Sequence, residues 1–327
     1  MSLKHIIVTG ANGFIGQHLC QTLVEAGKEV TACIREQADA SVLETLSGSL
    51  RLCRIPSLDR DVALSRILEN ADAVIHLAGR AHVMRETEKE PLREFRKVNV
   101  TGTETLVSAA LQAGVRRFIY LSSIKVNGEA TNGNIFSADD EPGYSDPYGQ
   151  SKWEAEERLL KIATGTNMEW VILRPPLVYG PGVRGNFLSL MKWVFLGVPL
   201  PVGSLENRRS LVSVYNLCDL LCVLLDHPAA ANNRFLASDP EDISTHDLVR
   251  QIAVALHRSP RIMRCPERVL LVAGALLRQK DAVQRLCSSL MLDRRKASKI
   301  LGWSAPMTIE RGLDRTAEWY LNRVAEQ

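Results

Sequence analysis

Long apolar runs, an excess of one charge and closely spaced metal ligands are all missing from this sequence. Its longest apolar run, residues 269–277, lies between Arg268 and Arg278 and is too short to span a bilayer. The 40 basic and 37 acidic residues are interspersed and leave a net charge of +3. This balance argues against a nucleic acid or a membrane surface as a partner.

The cysteines and histidines also exclude some functions. The seven cysteines include no C-x-x-C pair, and the seven histidines show no H-x-x-x-H spacing. We therefore predict no metal site and reduced thiols in a cytoplasmic protein. The first 20 residues lead directly into a glycine-rich stretch and do not have the pattern of a signal peptide.

That glycine-rich stretch is the most informative segment. The apolar residues 6–8 predict a strand, residues 13–26 predict a helix, and Gly10, Gly13 and Gly16 lie at the turn between them. A strand, a glycine turn and a helix form the phosphate-binding unit of dinucleotide folds. Gly10 suits the tight turn, Gly13 leaves room for a pyrophosphate, and Gly16 allows close helix packing. The amides at the helix N-terminus would contact the phosphates.

The second predicted strand, residues 29–34, is followed by Arg35. In dinucleotide folds this position meets the adenosine ribose. A guanidinium there favours a 2′-phosphate, and therefore NADP(H), whereas the neighbouring Glu36 leaves NAD open. A solvent-exposed arginine without a ligand is the alternative interpretation.

Further strands are predicted over residues 73–79 and 117–121, and a helix over residues 97–112 that contains Asn99. The strand at 117–121 ends in Ser122 and Ser123, where ligands bind in an open α/β sheet. Asn99 is equally consistent with a structural role, because a buried helical asparagine usually bonds to backbone.

Tyr148 and Lys152 are spaced i, i+4 on a predicted helix and therefore face the same way. A cation one turn away favours the anionic form of a tyrosine and makes it a usable acid or base. Taken alone, this spacing also fits an ordinary exposed pair.

Taken in order, these segments resemble the extended short-chain dehydrogenase/reductase family, in its NAD-dependent epimerase/dehydratase branch. The matching stretches are TGANGFIG at 9–16, HLAG at 76–79, NVTGT at 99–103, SS at 122–123, YGQSK at 148–152 and RPPLVYGPG at 174–182. The resemblance implies an α/β fold with a Rossmann-type doubly wound parallel sheet. It implies an NAD(P)-binding domain of residues 1–178 plus 213–238, and a smaller nucleotide-sugar-binding domain of residues 179–212 plus 239–327.

The resemblance also assigns the site. The implied catalytic residues are Ser123, Tyr148 and Lys152. The implied cofactor residues are Gly10, Gly13, Phe14, Ile15, Gly16, Arg35, Leu77, Ala78, Gly79, Asn99, Tyr148, Lys152 and Pro175. The implied substrate residues are Ser123, Asn186, Arg209 and Arg285, where the two arginines would bind nucleotide phosphate and could otherwise form surface salt bridges. Asn127 stands where relatives have a tyrosine, which puts substrate contacts from that loop in doubt.

We therefore predict an enzyme that acts on a UDP-sugar at C4. Arg35 favours an NADPH-dependent reductase of a UDP-4-keto-6-deoxy-N-acetylhexosamine for surface polysaccharide synthesis. An NAD-dependent UDP-hexose 4-epimerase, acting on UDP-glucose or UDP-N-acetylglucosamine, and a non-catalytic NADP-sensing protein are the alternatives. A 4,6-dehydratase is disfavoured, because residues 123–125 supply no acid to expel a 6-hydroxyl group. Relatives pair helices equivalent to residues 97–113 and 151–163, which predicts a homodimer.

Overall fold

A computed structural model describes residues 3–46, 48–58, 61–80, 90–131, 133–276 and 280–325. Its strands are β1 His5–Thr9, β2 Glu29–Arg35, β3 Leu50–Ile55, β4 Ala73–His76, β5 Arg117–Leu121, β6 Glu169–Arg174, β7 Leu177–Tyr179, β8 Leu211–Ser213 and β9 Asn233–Leu236. Its α-helices are α1 Phe14–Glu25, α2 Ser41–Glu44, α3 Asp61–Ile67, α4 Pro91–Phe95, α5 Gly102–Gln112, α6 Pro147–Ala163, α7 Gly185–Phe195, α8 Val214–Asp226, α9 Thr245–Ala255, α10 Glu267–Leu276, α11 Lys280–Cys287, α12 Arg295–Leu301 and α13 Ile309–Ala325.

The main sheet has seven strands in the order β3-β2-β1-β4-β5-β6-β9, and every neighbouring pair is parallel. The chain therefore winds outward from β1 in one direction and then from β4 in the other. Such sheets bind their ligands at this reversal, beyond the carboxyl ends of the strands. The predicted doubly wound Rossmann-type fold is confirmed.

Apolar side chains on both faces of the sheet explain why its strands are almost wholly hydrophobic. Helices α1, α8 and α12 cover one face, where Leu19, Leu221 and Leu301 belong to one buried cluster. Helices α5 and α6 cover the other face, where Leu106 and Leu159 belong to a second cluster.

The C-terminal part builds a separate apolar cluster around α7, α9 and α13, and the short parallel pair β7–β8 lies at its junction with the sheet. There the Tyr179 hydroxyl donates to Asp239 Oδ2 at 2.8 Å, while the Ser213 amide donates to Oδ1 at 2.9 Å. These contacts are compatible with the predicted two-part division, whose boundaries stay a prediction. None of the described helices is long and apolar enough to cross a membrane.

Two predicted elements differ from the structure. The strand predicted over residues 73–79 ends at His76, because Leu77 to Gly79 leave the sheet as a loop. The helix predicted over residues 97–112 begins earlier, with α4, and passes through a π-helical turn at Arg96–Thr101 before α5. Single π-turns inside α-helices are frequent at functional sites, and this one contains Asn99.

Candidate active site

The glycine turn after β1 is held by backbone contacts on two sides. The Gly10 and Ala11 amides both donate to the carbonyl oxygen of Cys33 on β2, at 3.1 and 3.3 Å. Gly10 has a φ of +69°, and a Cβ atom there would stand 2.8 Å from the Ala78 backbone nitrogen. Only glycine satisfies both conditions, so the turn passes directly beside the loop that follows β4.

The turn leads into the N-terminus of α1. Gly13 is the N-cap residue and provides no side-chain cap, and no acidic residue lies in the first turn. The amides of Phe14, Ile15 and Gly16 belong to that turn, where helical amides have no intrahelical carbonyl. Uncapped amides and the positive end of a helix dipole together suit a phosphate group.

Asn99 fixes the loop after β4. Its side-chain oxygen accepts from the Arg80 amide at 2.7 Å, and its Nδ2 donates to the Arg80 carbonyl at 3.1 Å and to Ser151 Oγ at 3.0 Å. Gly79 lies against it, because a Cβ atom at residue 79 would be 3.1 Å from Asn99 Oδ1. Asn99 thus ties the segment Leu77–Gly79 to helix α6.

Two guanidinium groups, one from β2 and one from β3, lie near the end of β2. Arg35 is exposed, and its guanidinium makes no hydrogen bond or ion pair with the residues that the structure describes. Arg54 on β3, which the sequence analysis did not identify, donates from Nη1 to the carbonyls of Glu36 and Ala38 at 2.8 and 2.9 Å. Positive charge is therefore concentrated where the adenosine ribose of a dinucleotide lies in this fold.

Ser123, Tyr148 and Lys152 come together at the carboxyl end of β5. Ser123 caps the short 3₁₀ helix Ile124–Val126, and Tyr148 and Lys152 lie on the first two turns of α6. Ser123 hydrogen-bonds with the Tyr148 side chain. The Lys152 ammonium donates to the Leu121 carbonyl at 2.7 Å and lies 4.1 Å from the centre of the Tyr120 ring. Pro175, beside them, accepts the Ile124 amide at 3.0 Å.

The ionisation of this group differs from the sequence-based expectation. Burial raises the pKa of Tyr148 to about 12, and the hydrogen bond with Ser123 only partly opposes the rise. Burial also lowers the pKa of Lys152 to about 7, against the attraction of Glu156. Desolvation exceeds the effect of the nearby cation, so Tyr148 is protonated at neutral pH and can donate a proton.

A cleft of about 410 Å³ lies beside the loop that follows the Ile124–Val126 helix. The loop residues 127–130 and Phe136 line one side, and Gln284, Arg285 and Ser288 of the segment around α11 line the other. Arg209 lies behind Arg285, donating from Nη1 to the Arg285 carbonyl at 2.6 Å and the Ser288 carbonyl at 3.0 Å. Asn186 is exposed in the first turn of α7 and does not line this cleft.

Comparison with known proteins identifies the family. The model of the NAD dependent epimerase/dehydratase family matches residues 6–237. This chain belongs to that family. It is 40% identical to a UDP-glucose 4-epimerase of Vibrio cholerae over 97% of this chain and 96% of the relative. It is also 27% identical to a 2-alkyl-3-oxoalkanoate reductase of Stenotrophomonas maltophilia over 95% of this chain and 97% of the relative.

A solved structure of MoeE5 in complex with UDP-glucose and NAD is similar to 98% of this chain and 99% of its own, with a TM-score of 0.78 and 28% identity. The chain is therefore an NAD(P)-dependent enzyme of the short-chain dehydrogenase/reductase type. The family includes epimerases and reductases, so membership alone does not choose between them.

Two further groups in this family member support the site and were missed in the sequence. The first is a buried network behind α6, in which Glu156 pairs with Arg174 through bonds of 2.9 and 2.6 Å. Arg174 also donates to Asn127 Oδ1 at 2.9 Å, and Asn127 Nδ2 donates to the Ser137 carbonyl at 2.8 Å. Asn127 is only 5% exposed, so it holds the cleft loop from behind. Glu156 follows Lys152 by one helical turn, and this spacing is the sequence signal that could have indicated the network.

The second group is His76, the first residue of the HLAG stretch. Its Nδ1 lies 2.6 Å from Thr9 Oγ1 and its Nε2 lies 3.0 Å from Thr103 Oγ1. Because the Thr103 hydroxyl donates to the Asn99 carbonyl, it accepts from Nε2–H, and Nδ1 therefore accepts from Thr9. Complete burial, with a smaller effect of Lys152, lowers the pKa of His76 to about 3. His76 is thus a neutral link between β1, β4 and α5.

Proposed function

We propose that this protein reduces the C4 carbonyl of a UDP-4-keto-6-deoxy-N-acetylhexosamine with NADPH. The observation that carries the proposal is that Ser123, Tyr148 and Lys152 lie together at the carboxyl end of β5, the same edge of the parallel sheet as the glycine turn. A proton donor beside a dinucleotide site is what carbonyl reduction requires.

The residues present fit a nicotinamide dinucleotide. The uncapped α1 N-terminus and the close backbone approach at Gly10 suit the pyrophosphate, and Lys152 Nζ stands close to Gly79, about where a nicotinamide ribose would lie in this fold. When bound, NADPH supplies the hydride. Arg35 and Arg54 support the phosphorylated form, because guanidinium groups bind phosphate oxygens with charge-assisted hydrogen bonds.

A nucleoside diphosphate fits the cationic side of the cleft. Burial and the adjacent Arg285 charge lower the pKa of Arg209, and the Glu129 carboxylate opposes them. Of the described carboxylates, none forms an ion pair with either guanidinium. Two like charges held close together without a directly ion-paired carboxylate are characteristic of an anion-binding site. The UDP-sugars of the relative at 40% identity and of MoeE5 support this ligand class.

The chain's own groups then have defined tasks. Ser123 and Tyr148 hydrogen-bond the carbonyl oxygen and polarise it. Tyr148, protonated at neutral pH, delivers its proton to that oxygen. Lys152 holds the ribose, and in its protonated form it stabilises the tyrosinate that remains. Arg285 orients the diphosphate, and Arg209 lies behind Arg285. The family resemblance assigns Asn186 to the same diphosphate.

The second candidate is a UDP-hexose 4-epimerase, which the 40% identical relative favours. The same three residues would then remove and return the C4 hydride through NAD that stays bound. A non-catalytic NADP-sensing protein would need neither Tyr148 nor Lys152.

We also propose a cytoplasmic homodimer that pairs α5 and α6 with a second copy, to be checked by sedimentation equilibrium.

One experiment separates the two reactions. UDP-4-keto-6-deoxy-N-acetylglucosamine and NADPH are incubated with the protein, and loss of reduced nicotinamide absorbance is followed. We expect turnover, a preference for NADPH over NADH of about tenfold or more, and little nucleotide bound to the purified protein. Arg35→Asp should reverse the preference, because it places a carboxylate against the 2′-phosphate. Stoichiometric bound NAD with interconversion of UDP-hexoses would instead establish the epimerase.

A further inference from the structure

Two cysteines face each other across neighbouring strands beside the dinucleotide site. Cys33 on β2 and Cys53 on β3 are direct partners in the parallel register. Neighbouring strands lie about 4.7–4.9 Å apart, and residues in register point to the same face of the sheet. That separation is within the range of about 4.4–6.8 Å between the Cα atoms of disulfides. The pair is therefore within reach of a disulfide after a local adjustment of the two strands.

The two thiols differ in access and ionisation. Cys33 is 2% exposed, whereas Cys53 is partly exposed on β3, the edge strand of the sheet. The interaction between the two thiols lowers the pKa of Cys53 to about 7, and the same interaction, with burial, raises the pKa of Cys33. By contrast, burial raises the pKa values of Cys20 and Cys222 to about 12. Cys53 is therefore the reactive thiol of the two, and Cys33 is its protected neighbour.

The backbone of Cys33 connects this pair to the cofactor site. Its carbonyl oxygen accepts both the Gly10 and the Ala11 amide, and two residues further on is Arg35. Any shift of β2 toward β3 at Cys33 therefore moves the acceptor that holds the glycine turn. The Cys33 side chain is buried in the apolar cluster under α5 and α6, where its Sγ also lies 4.0 Å from the Thr31 carbonyl oxygen.

We propose that Cys33 and Cys53 are a redox-active dithiol that hydroperoxides convert to a disulfide, and that this disulfide weakens dinucleotide binding. The Cys53 thiolate attacks the peroxide, the O–O bond breaks, and a sulfenic acid forms with release of water or alcohol. The Cys33 sulfur then attacks Cys53 Sγ, the S–O bond breaks, and a second water leaves with the Cys33 proton. The two sulfurs together give two electrons to one peroxide.

Peptide mapping tests the disulfide directly. The full chain is treated with hydrogen peroxide, free thiols are blocked with N-ethylmaleimide, and the protein is digested with trypsin. Cleavage after Lys28, Arg35, Arg51 and Arg54 isolates the peptides EVTACIR and LCR. We expect these two peptides to be linked, and the link to disappear after dithiothreitol.

Serine variants identify the roles of the two thiols. In Cys33→Ser, Cys53 should accumulate as a sulfenic acid that dimedone traps. Cys53→Ser should leave Cys33 unmodified, and Cys265→Ser, which changes another partly exposed thiol, should form the disulfide as the wild type does. Peroxide that oxidises other thiols while the two peptides stay unlinked would overturn the proposed site.

The effect on the cofactor is measured separately. Calorimetric titration with NADPH and with NAD should show affinity about three- to tenfold lower after oxidation, the effect of weakening one of the hydrogen bonds that hold the turn. Dithiothreitol should restore the affinity, and Cys53→Ser should be insensitive to peroxide. A disulfide that leaves both affinities unchanged would overturn the link to the glycine turn, whichever sugar the enzyme uses.

Discussion

The dinucleotide side and the cleft side of this active site are built in different ways. The dinucleotide side is mainly backbone: the Gly10 turn, the α1 N-terminus and the Cys33 carbonyl lie within one strand–helix–strand unit. The cleft side is made of side chains from distant segments, with Asn127 on one wall and Arg285 on the other. A binding site made of backbone groups can therefore be predicted from a short sequence motif. A site made of side chains from distant segments corresponds only to isolated residues in the sequence.

The two sides also differ in the groups that supply their positive electrostatic potential. On the dinucleotide side positive potential comes from the amides of α1, whose direction is set by the fold, and from Arg35 and Arg54 at the end of β2. In the cleft it comes from Arg209 and Arg285, two cations that burial and proximity make costly to hold together. A ligand that neutralises them should therefore stabilise the C-terminal part more than the sheet. The following substitutions test this comparison, from the largest expected effect to the smallest.

The largest effect is expected at the point where the two sides meet. Tyr148→Phe removes the proton donor but keeps the ring, which packs 5.8 Å from Phe95. Turnover should fall by about 10²–10⁴, while affinities for cofactor and UDP change little. Stopped-flow measurement of hydride transfer checks this. Tyr144→Phe is the matched control, since Tyr144 is 38% exposed in the preceding loop. Near-normal turnover in Tyr148→Phe would remove this residue from the mechanism.

The second prediction concerns the backbone side. Gly10→Ala places a Cβ atom 2.8 Å from the Ala78 nitrogen in a left-handed conformation. The unfolding free energy should fall by about 2–5 kcal/mol, from conformational strain together with overpacking, and dinucleotide affinity should fall with it. Gly27→Ala is a close control, because Gly27 has a φ of +75° with open space around it.

That control should reduce the unfolding free energy by only about 1–2 kcal/mol and leave dinucleotide affinity unchanged. Urea denaturation and calorimetric titration of both variants give the two quantities. Equal losses in the two variants would show that close approach to Ala78 is unimportant.

The third prediction, with the smallest expected effects, concerns substitutions of arginines at the cleft. Arg285→Ala should weaken UDP binding by about 1.5–3 kcal/mol, the contribution of a charge-assisted contact to phosphate. Arg209→Ala should also weaken binding, because Arg209 fixes the backbone at Arg285 and Ser288. Arg208→Ala, an exposed neighbour, should have no effect. Unchanged UDP affinity in the first two variants would place the diphosphate elsewhere.

The sequence by itself determined the fold and predicted the catalytic group. Alternating strands and helices, three glycines at fixed spacing and the Tyr148/Lys152 pair depend on neighbours close in the chain. Local spacing and hydrophobic periodicity are sufficient for such features, because the backbone geometry of a strand–turn–helix unit is set locally. The glycine roles at Gly10 and Gly16 agree with the close contacts that the structure places there.

Only the tertiary structure decided the ionisation states and the long-range partners. The proton on Tyr148, the neutrality of His76 and the lowered pKa of Lys152 all arise from burial, which depends on what the rest of the chain packs against them. The Asn127–Arg174 bond spans 47 residues, and the contact of Arg209 with Arg285 spans 76. Desolvation and long-range side-chain pairing are properties of the packed protein, so they cannot be predicted from a local sequence pattern.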